Sequence, residues 1–203
     1  MKIGILDYEA CNLASVYHTV YNAGHDPIIL KNKKDFQKVK KIIIPGVGSA
    51  YHCMNYLKKN ELDLELKSYK KKGMPILGIC LGMQIFSKKL YEHGETEGLN
   101  FLDGEVLPIN YKNKFNIGWC DIKIKYNLKQ NFLKNNSSFF FCFSFFLKLN
   151  SKEDKKSVLG EIDFNKILLP ALIIKENIIG AQFHPEKSQT NGIQFLNFFI
   201  DKF

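Results

Sequence analysis

Four short, unbroken apolar runs mark the first eighty residues: Lys2–Leu6, Pro27–Leu30, Lys41–Ile44 and Pro75–Ile79. Runs of Ile, Leu and Val without polar alternation are the pattern of parallel strands covered on both faces. Between them the apolar spacing turns helical. It predicts helices over Leu13–Ala23, with Asn12 as cap and Gly24 as stop, over Tyr51–Leu57, and over Leu62–Lys72, with Gly73 as stop. After residue 100 the pattern becomes a succession of strands with short polar turns: Phe101–Ile109, Cys120–Lys125, Phe139–Leu147, Ser157–Ile162, Leu169–Ile173 and Ile178–Phe183. A closing helix from Asn191 to Phe203 would put Ile193, Leu196, Ile200 and Phe203 on one face. No repeat and no linker divides residues 1–203. The expectation is one α/β domain: an open, mostly parallel sheet flanked by helices and extended by antiparallel strands.

Composition narrows the function classes. The net charge is +9, and all 29 basic residues are lysine. Base-specific readout leans on the planar arginine fork, which lysine does not reproduce, so no nucleic-acid partner is expected. The longest apolar stretch, Phe139–Leu147, is nine residues, far short of the roughly 20 a membrane helix needs. The apolar N-terminus reads as a buried strand rather than a signal peptide. Five cysteines (Cys11, Cys53, Cys80, Cys120 and Cys142) include no C-x-x-C pair. Neither a metal site nor a disulfide framework is supported, no cofactor is implied, and the reducing cytoplasm is the natural setting.

The chemistry concentrates in Gly78-Ile79-Cys80-Leu81-Gly82-Met83-Gln84, which follows a strand and should open a helix ending near Tyr91. Gly-x-Cys-x-Gly in that context is the cysteine form of the nucleophile elbow. The turn is sharp, and side chains two residues either side of Cys80 would strike the neighbouring strand and helix. The helix N-terminus stabilises negative charge at the sulfur and offers the Leu81 N–H to an oxyanion. The plain alternative is a buried cysteine at a strand end. A cysteine nucleophile needs a base. His18, His25, His52 and His93 fall in helix patterns, turns or polar loops, whereas His184 ends the strand Ile178–Phe183, and Glu186 stands two residues on to orient it. A third element is Pro45-Gly46-Val47-Gly48, where a strand ends in a loop whose backbone N–H groups suit an oxyanion hole, or simply form a tight turn.

Together these pieces resemble the class I (triad) glutamine amidotransferases, and among them the glutaminase subunit of imidazole glycerol phosphate synthase. The resemblance runs from Asp7-Tyr8 and Asn12-Leu13 through Gly118-Trp119 to Gln182-Phe183-His184-Pro185-Glu186-Lys187-Ser188. It implies the single-domain class I amidotransferase fold and a Cys80–His184–Glu186 triad that hydrolyses L-glutamine. Gly46, Val47, Gly48 and Leu81 would serve the oxyanion. Gln84, Glu92, Ser144 and Phe145 would form the glutamine pocket. The resemblance also implies a separate (β/α)8 cyclase subunit that receives the ammonia in a heterodimer, with Asn12, Trp119 and Lys187 facing it.

Three departures stand out: Phe143 where the family usually has histidine, Phe115-Asn116-Ile117-Gly118-Trp119-Cys120 where it usually reads Pro-His-Met-Gly-Trp-Asn, and Cys11 in place of a small residue. They lie near the expected partner and pocket surfaces. An alternative therefore stays open, a paralogue feeding ammonia to a sugar amidotransferase for acetamidino sugars of surface glycans. A stand-alone cysteine hydrolase or a non-enzymatic binding subunit is the third reading.

Overall fold

The computed structural model describes residues 1–9, 11–110, 114–125 and 133–203. Part of the Lys/Asn-rich loop sequence lies outside those residues.

Five strands form the parallel half of the main sheet: β1 (Lys2–Leu6), β2 (Asp26–Leu30), β3 (Lys41–Ile44), β4 (Ile76–Ile79) and β13 (Ile178–Ala181). The antiparallel half contains β8 (Asn116–Ile124), β9 (Ser137–Phe143), β11 (Val158–Phe164) and β12 (Ile167–Lys175). The order across the nine strands is β2-β1-β3-β4-β13-β12-β11-β8-β9. A second sheet of four short strands, ordered β10-β7-β5-β6, sits beside it. Its members are β5 (Lys89–Leu90), β6 (Thr96–Glu97), β7 (Gly104–Pro108) and β10 (Phe145–Leu149). The helices are α1 (Leu13–Asn22), α2 (Lys33–Phe36), α3 (Ala50–Lys59), α4 (Leu62–Lys71), α5 (Leu81–Gln84), α6 (Lys152–Lys156) and α7 (Gln189–Asn197).

The unbroken apolar runs are explained by two cores. Ile42, Ile44 and Ile76 face one side of the sheet, where Cys53, Met54 and Leu57 of α3 and Leu62 and Leu66 of α4 cover them. Ile3, Ile5, Ile43, Leu77 and Ile79 face the other, against Val16 and Val20 of α1 and Phe195 and Leu196 of α7. Alternate residues of a strand point to opposite faces, so a strand buried on both must be apolar throughout.

Several boundaries differ from expectation, each for a physical reason. The helix after Cys80 ends at Gln84, not near Tyr91. The carbonyls of Ile85, Phe86 and Ser87 are taken by the N–H groups of Leu99, Phe101 and Asn100, so they cannot continue a helical ladder. The run Phe139–Leu147 is two strands, because the chain leaves the main sheet at Ser144 and enters the second one. The closing helix widens to a π-turn over Phe198–Lys202, with Phe203 N–H donating to the Phe198 carbonyl. That shift buries Phe198, Phe199 and Ile200 in succession, while Ile193, earlier on α7, is half exposed. At the start of α1, Asn12 accepts the Ser15 hydroxyl (3.0 Å) rather than capping a backbone N–H.

Candidate active site

Three adjacent parallel strands, β3, β4 and β13, bring the three motifs together. Ile44 pairs with Gly78, and Ala181 pairs with Ile79, so all three chains leave the sheet at the same height. Beyond their carboxyl ends lie the Pro45–Gly48 loop, Cys80 and His184. The carboxyl edge of an open α/β sheet is where such folds bind ligands.

The elbow is strained and its glycines are obligatory. Cys80 adopts φ +48°, ψ −102°, a conformation that costs a non-glycine residue about 1–3 kcal/mol. Bonds on either side hold it: Cys80 N–H donates to the Ala181 carbonyl (2.6 Å), and its own carbonyl accepts from Gln84 N–H (3.1 Å). A Cβ on Gly78 would lie 2.4 Å from the Gly82 carbonyl oxygen, and one on Gly82 would lie 2.3 Å from that of Ile44. The predicted collisions with helix and strand are therefore present in the structure.

His184 is buried, with only 1% of its surface exposed. A 3-10 turn, Pro185–Lys187, folds the chain back so that Glu186 Oε1 reaches His184 Nδ1 at 2.8 Å. The turn is locked by Ser188 Oγ donating to the His184 carbonyl (2.6 Å). It also packs on Gly192 of α7, where a Cβ would stand 1.9 Å from the Pro185 carbonyl oxygen. Burial alone would lower the imidazole pKa; the hydrogen bonds and charges of Cys80 and Glu186 outweigh it and raise it to about 10. The raised value favours the proton-bearing form of the ring beside the sulfur. Cys80 Sγ also contacts the Cys142 carbonyl (3.6 Å) and the Gln182 side-chain nitrogen (3.4 Å).

A cavity of about 410 Å³ opens over the thiol. Cys80 and His184 line it, as do Gly46, Val47, Gly48 and Leu81 of the predicted oxyanion set. The predicted pocket residues Gln84, Glu92, Ser144 and Phe145 line it too, and so does Lys187. Glu92 Oε2 accepts from Ser49 Oγ (2.8 Å) and Ala50 N–H (2.7 Å), so the carboxylate also caps α3. Glu186 stands behind His184, outside the cavity lining. Asn12 and Trp119 are outside it as well, Asn12 at the start of α1 and Trp119 half exposed on β8. Lys187 Nζ lies over the Phe140 ring (5.7 Å), which meets Trp119 edge-on. Of the departures, Phe143 is buried, lines the cavity and packs against Phe141 and Phe164. Asn116 bonds Cys120 Sγ (3.4 Å).

Two residues of the site were not singled out by sequence reasoning. The Tyr8 hydroxyl, buried behind the loop, lies 2.9 Å from both the Pro45 and Val47 carbonyls and so holds the Pro45–Gly48 loop from behind. Gln182 touches the Cys80 sulfur. Both stood inside quoted motifs, but nothing in a linear pattern says which motif residue reaches which atom.

The family model described as glutamine amidotransferase class-I matches residues 4–202. The chain belongs to the class I glutamine amidotransferases. Among its relatives in that family, "Imidazole glycerol phosphate synthase subunit HisH" of Lactococcus lactis is 35% identical, covering 99% of this chain and 98% of the relative. The subunit of the same name from Caldanaerobacter subterraneus is 37% identical over 97% and 96%, and "HisH 1" of Campylobacter jejuni is 39% identical over 98% of each. Solved amidotransferase structures share the fold at low identity. One described as a glutamine amidotransferase has a TM-score of 0.74 at 16% identity, over 98% of this chain and 97% of that one. PurLQS from Thermotoga maritima has 0.73 at 18%, with the same coverage.

Proposed function

We propose that this chain is the glutaminase subunit of an imidazole glycerol phosphate synthase. One observation carries the reading: a chain matching such subunits end to end sets Cys80 and His184 in the lining of one cavity, with Glu186 bonded to His184 from behind. The surface-glycan alternative is not favoured, since the relatives described above are named as synthase subunits of the other kind.

In this reading the Cys80 sulfur attacks the side-chain amide carbon of glutamine. The tetrahedral oxyanion is met by the Leu81 N–H, which has no partner within its own helix, and by N–H groups of the Gly46–Gly48 loop. His184 passes its proton to the leaving nitrogen, ammonia departs, and a glutamyl thioester remains. Neutral His184 then takes a proton from water, hydroxide adds to the thioester, and glutamate leaves with the imidazolium–thiolate pair restored. Glu186 stabilises the imidazolium and fixes its tautomer.

The ammonia passes to a (β/α)8 cyclase subunit, which makes imidazole glycerol phosphate and aminoimidazole carboxamide ribotide. Support for docking at the cavity mouth comes from Phe115, Ile117 and Trp119, alternate residues 59%, 61% and 49% exposed on one face at β8. Phe115 and Ile117 also line the cavity. Large apolar residues left in water side by side mark interaction surfaces. Among the described residues no helix is long and apolar enough to cross a membrane, and we assign the complex to the cytoplasm. Cys80→Ala tests the proposal. Reconstituted with the cyclase subunit, it should lose glutamine-dependent synthesis and keep synthesis from ammonium salts. Surviving glutamine-dependent synthesis would remove Cys80 from the mechanism.

A further inference from the structure

We propose that Gln182 is a further catalytic residue, whose side-chain N–H donates to the Cys80 sulfur and whose orientation is set by Gln84. The inference rests on Cys80 being the nucleophile.

The orientation follows from the hydrogen-bond chain. Gln84 Nε2 lies 2.7 Å from the Phe145 main-chain carbonyl, which can only accept, so the nitrogen end of the Gln84 amide is assigned by its partner. That nitrogen also lies 3.3 Å from the Gln182 side chain, which must present its oxygen there. The nitrogen of Gln182 is thereby left facing Cys80 Sγ at 3.4 Å. Flipping Gln84 would set its oxygen against two acceptor oxygens, and flipping Gln182 would set a donor against a donor and an oxygen lone pair against the sulfur. Both amides are nearly closed to solvent, Gln182 being 1% exposed and Gln84 6%. In such a site a donor aimed at the attacking sulfur is worth more than in solvent.

The consequence is a second donor to the Cys80 sulfur besides His184, one that carries no titrating proton. It also links the substrate cavity to the nucleophile, since Gln84 lines the cavity and Gln182 does not. A shift of the Gln84 amide as the cavity fills is felt at the sulfur through one intervening side chain.

The test is alkylation of the full chain by iodoacetamide, read as modification of the Cys80 peptide against pH, with glutaminase kcat and KM measured alongside in the complex. In the wild type, Cys80 should react ahead of the other four cysteines, with turnover lost in parallel. Gln182→Met keeps the side-chain length and removes the donor. It should lower the alkylation rate at neutral pH about tenfold, shift the profile to higher pH, and lower kcat about tenfold with KM within threefold. If Gln182→Met does not fold, Gln84→Met frees the Gln182 amide to turn and should show the same alkylation shift, smaller in size. Unchanged alkylation profiles in the folded variants would overturn the role of Gln182 while leaving the nucleophile intact. A wild-type Cys80 that reacts no faster than the other cysteines, or whose alkylation spares turnover, would overturn the nucleophile reading and this inference with it.

Discussion

Gly46→Ala isolates the contact between the Pro45–Gly48 loop and the Cys80 elbow, the proposed oxyanion loop and nucleophile turn. A Cβ at residue 46 would stand 1.9 Å from the Ile79 carbonyl oxygen, 2.5 Å from its carbon and 2.8 Å from Cys80 Cβ. Ordinary van der Waals contact begins near 3.4 Å, so loop and elbow must part by about 1.5 Å. Nothing flexible stands in the way to absorb this, because two of the three atoms are backbone and the third is the first side-chain atom of the nucleophile. Overpacking of this kind costs about 1–3 kcal/mol of stability. The catalytic cost is larger, since displacements of about 1 Å within a catalytic constellation lose on the order of a hundredfold in rate. The expected result is a fall of about a hundredfold in kcat/KM for glutamine, measured as glutamate release by the reconstituted complex, with ammonium-dependent synthesis intact. Urea unfolding of the same variant reads the stability cost separately. Gly94→Ala is the control: φ there is +82° with nothing within 4 Å of an added Cβ, so it strains the backbone away from the elbow. Glutamine turnover by Gly46→Ala within threefold of wild type would falsify the claim that loop and elbow form one rigid unit.

Three more predictions concern charge and docking. The His184 pKa is raised from 6.5 to about 10, so its contribution to stability is complete below pH 6.5 and is lost as pH rises through 10; urea stability should decline across that window. Cys80→Ala, which removes one of the two raising partners, should move the His184 proton NMR titration to lower pH, and an unmoved titration would show that the sulfur does not hold the proton there. At the cavity mouth, Ile117→Asp should weaken cyclase binding about tenfold or more by calorimetry, whereas Leu168→Asp, equally a change at an exposed apolar residue but distant on β12, should leave it unchanged. Equal dissociation constants for the two variants would place the interface elsewhere.

Much of the parallel half was legible in the chain because its causes are local. Double-sided burial demands unbroken apolar runs, and the observed β1, β3 and β4 match the expected strands to within a residue. The elbow was legible for the same kind of reason, as a strained Cys80 needs Gly78 and Gly82 wherever it occurs. Elements whose backbone partners are remote were not. β5 and β6 are two residues each and exist only because β7 and its neighbours accept them. The helix at Leu81 stops at Gln84 because residues 99–101 take the carbonyls of Ile85, Phe86 and Ser87 just after it, and Phe139–Leu147 breaks at Ser144 where the chain passes from one sheet to the other.

The sequence alone determined the chemistry available: one cysteine on an elbow, one histidine at a strand end, and an acid two residues later. These rest on short-range backbone geometry, which a few neighbouring residues dictate. Tertiary structure decided which groups meet. Gly46, Cys80 and His184 are neighbours only because β3, β4 and β13 are adjacent and in register. The bonds from Tyr8 to the oxyanion loop and from Gln84 through Gln182 to the sulfur join residues 37 to 102 positions apart. No linear pattern carries such pairings, since each depends on how two buried surfaces pack.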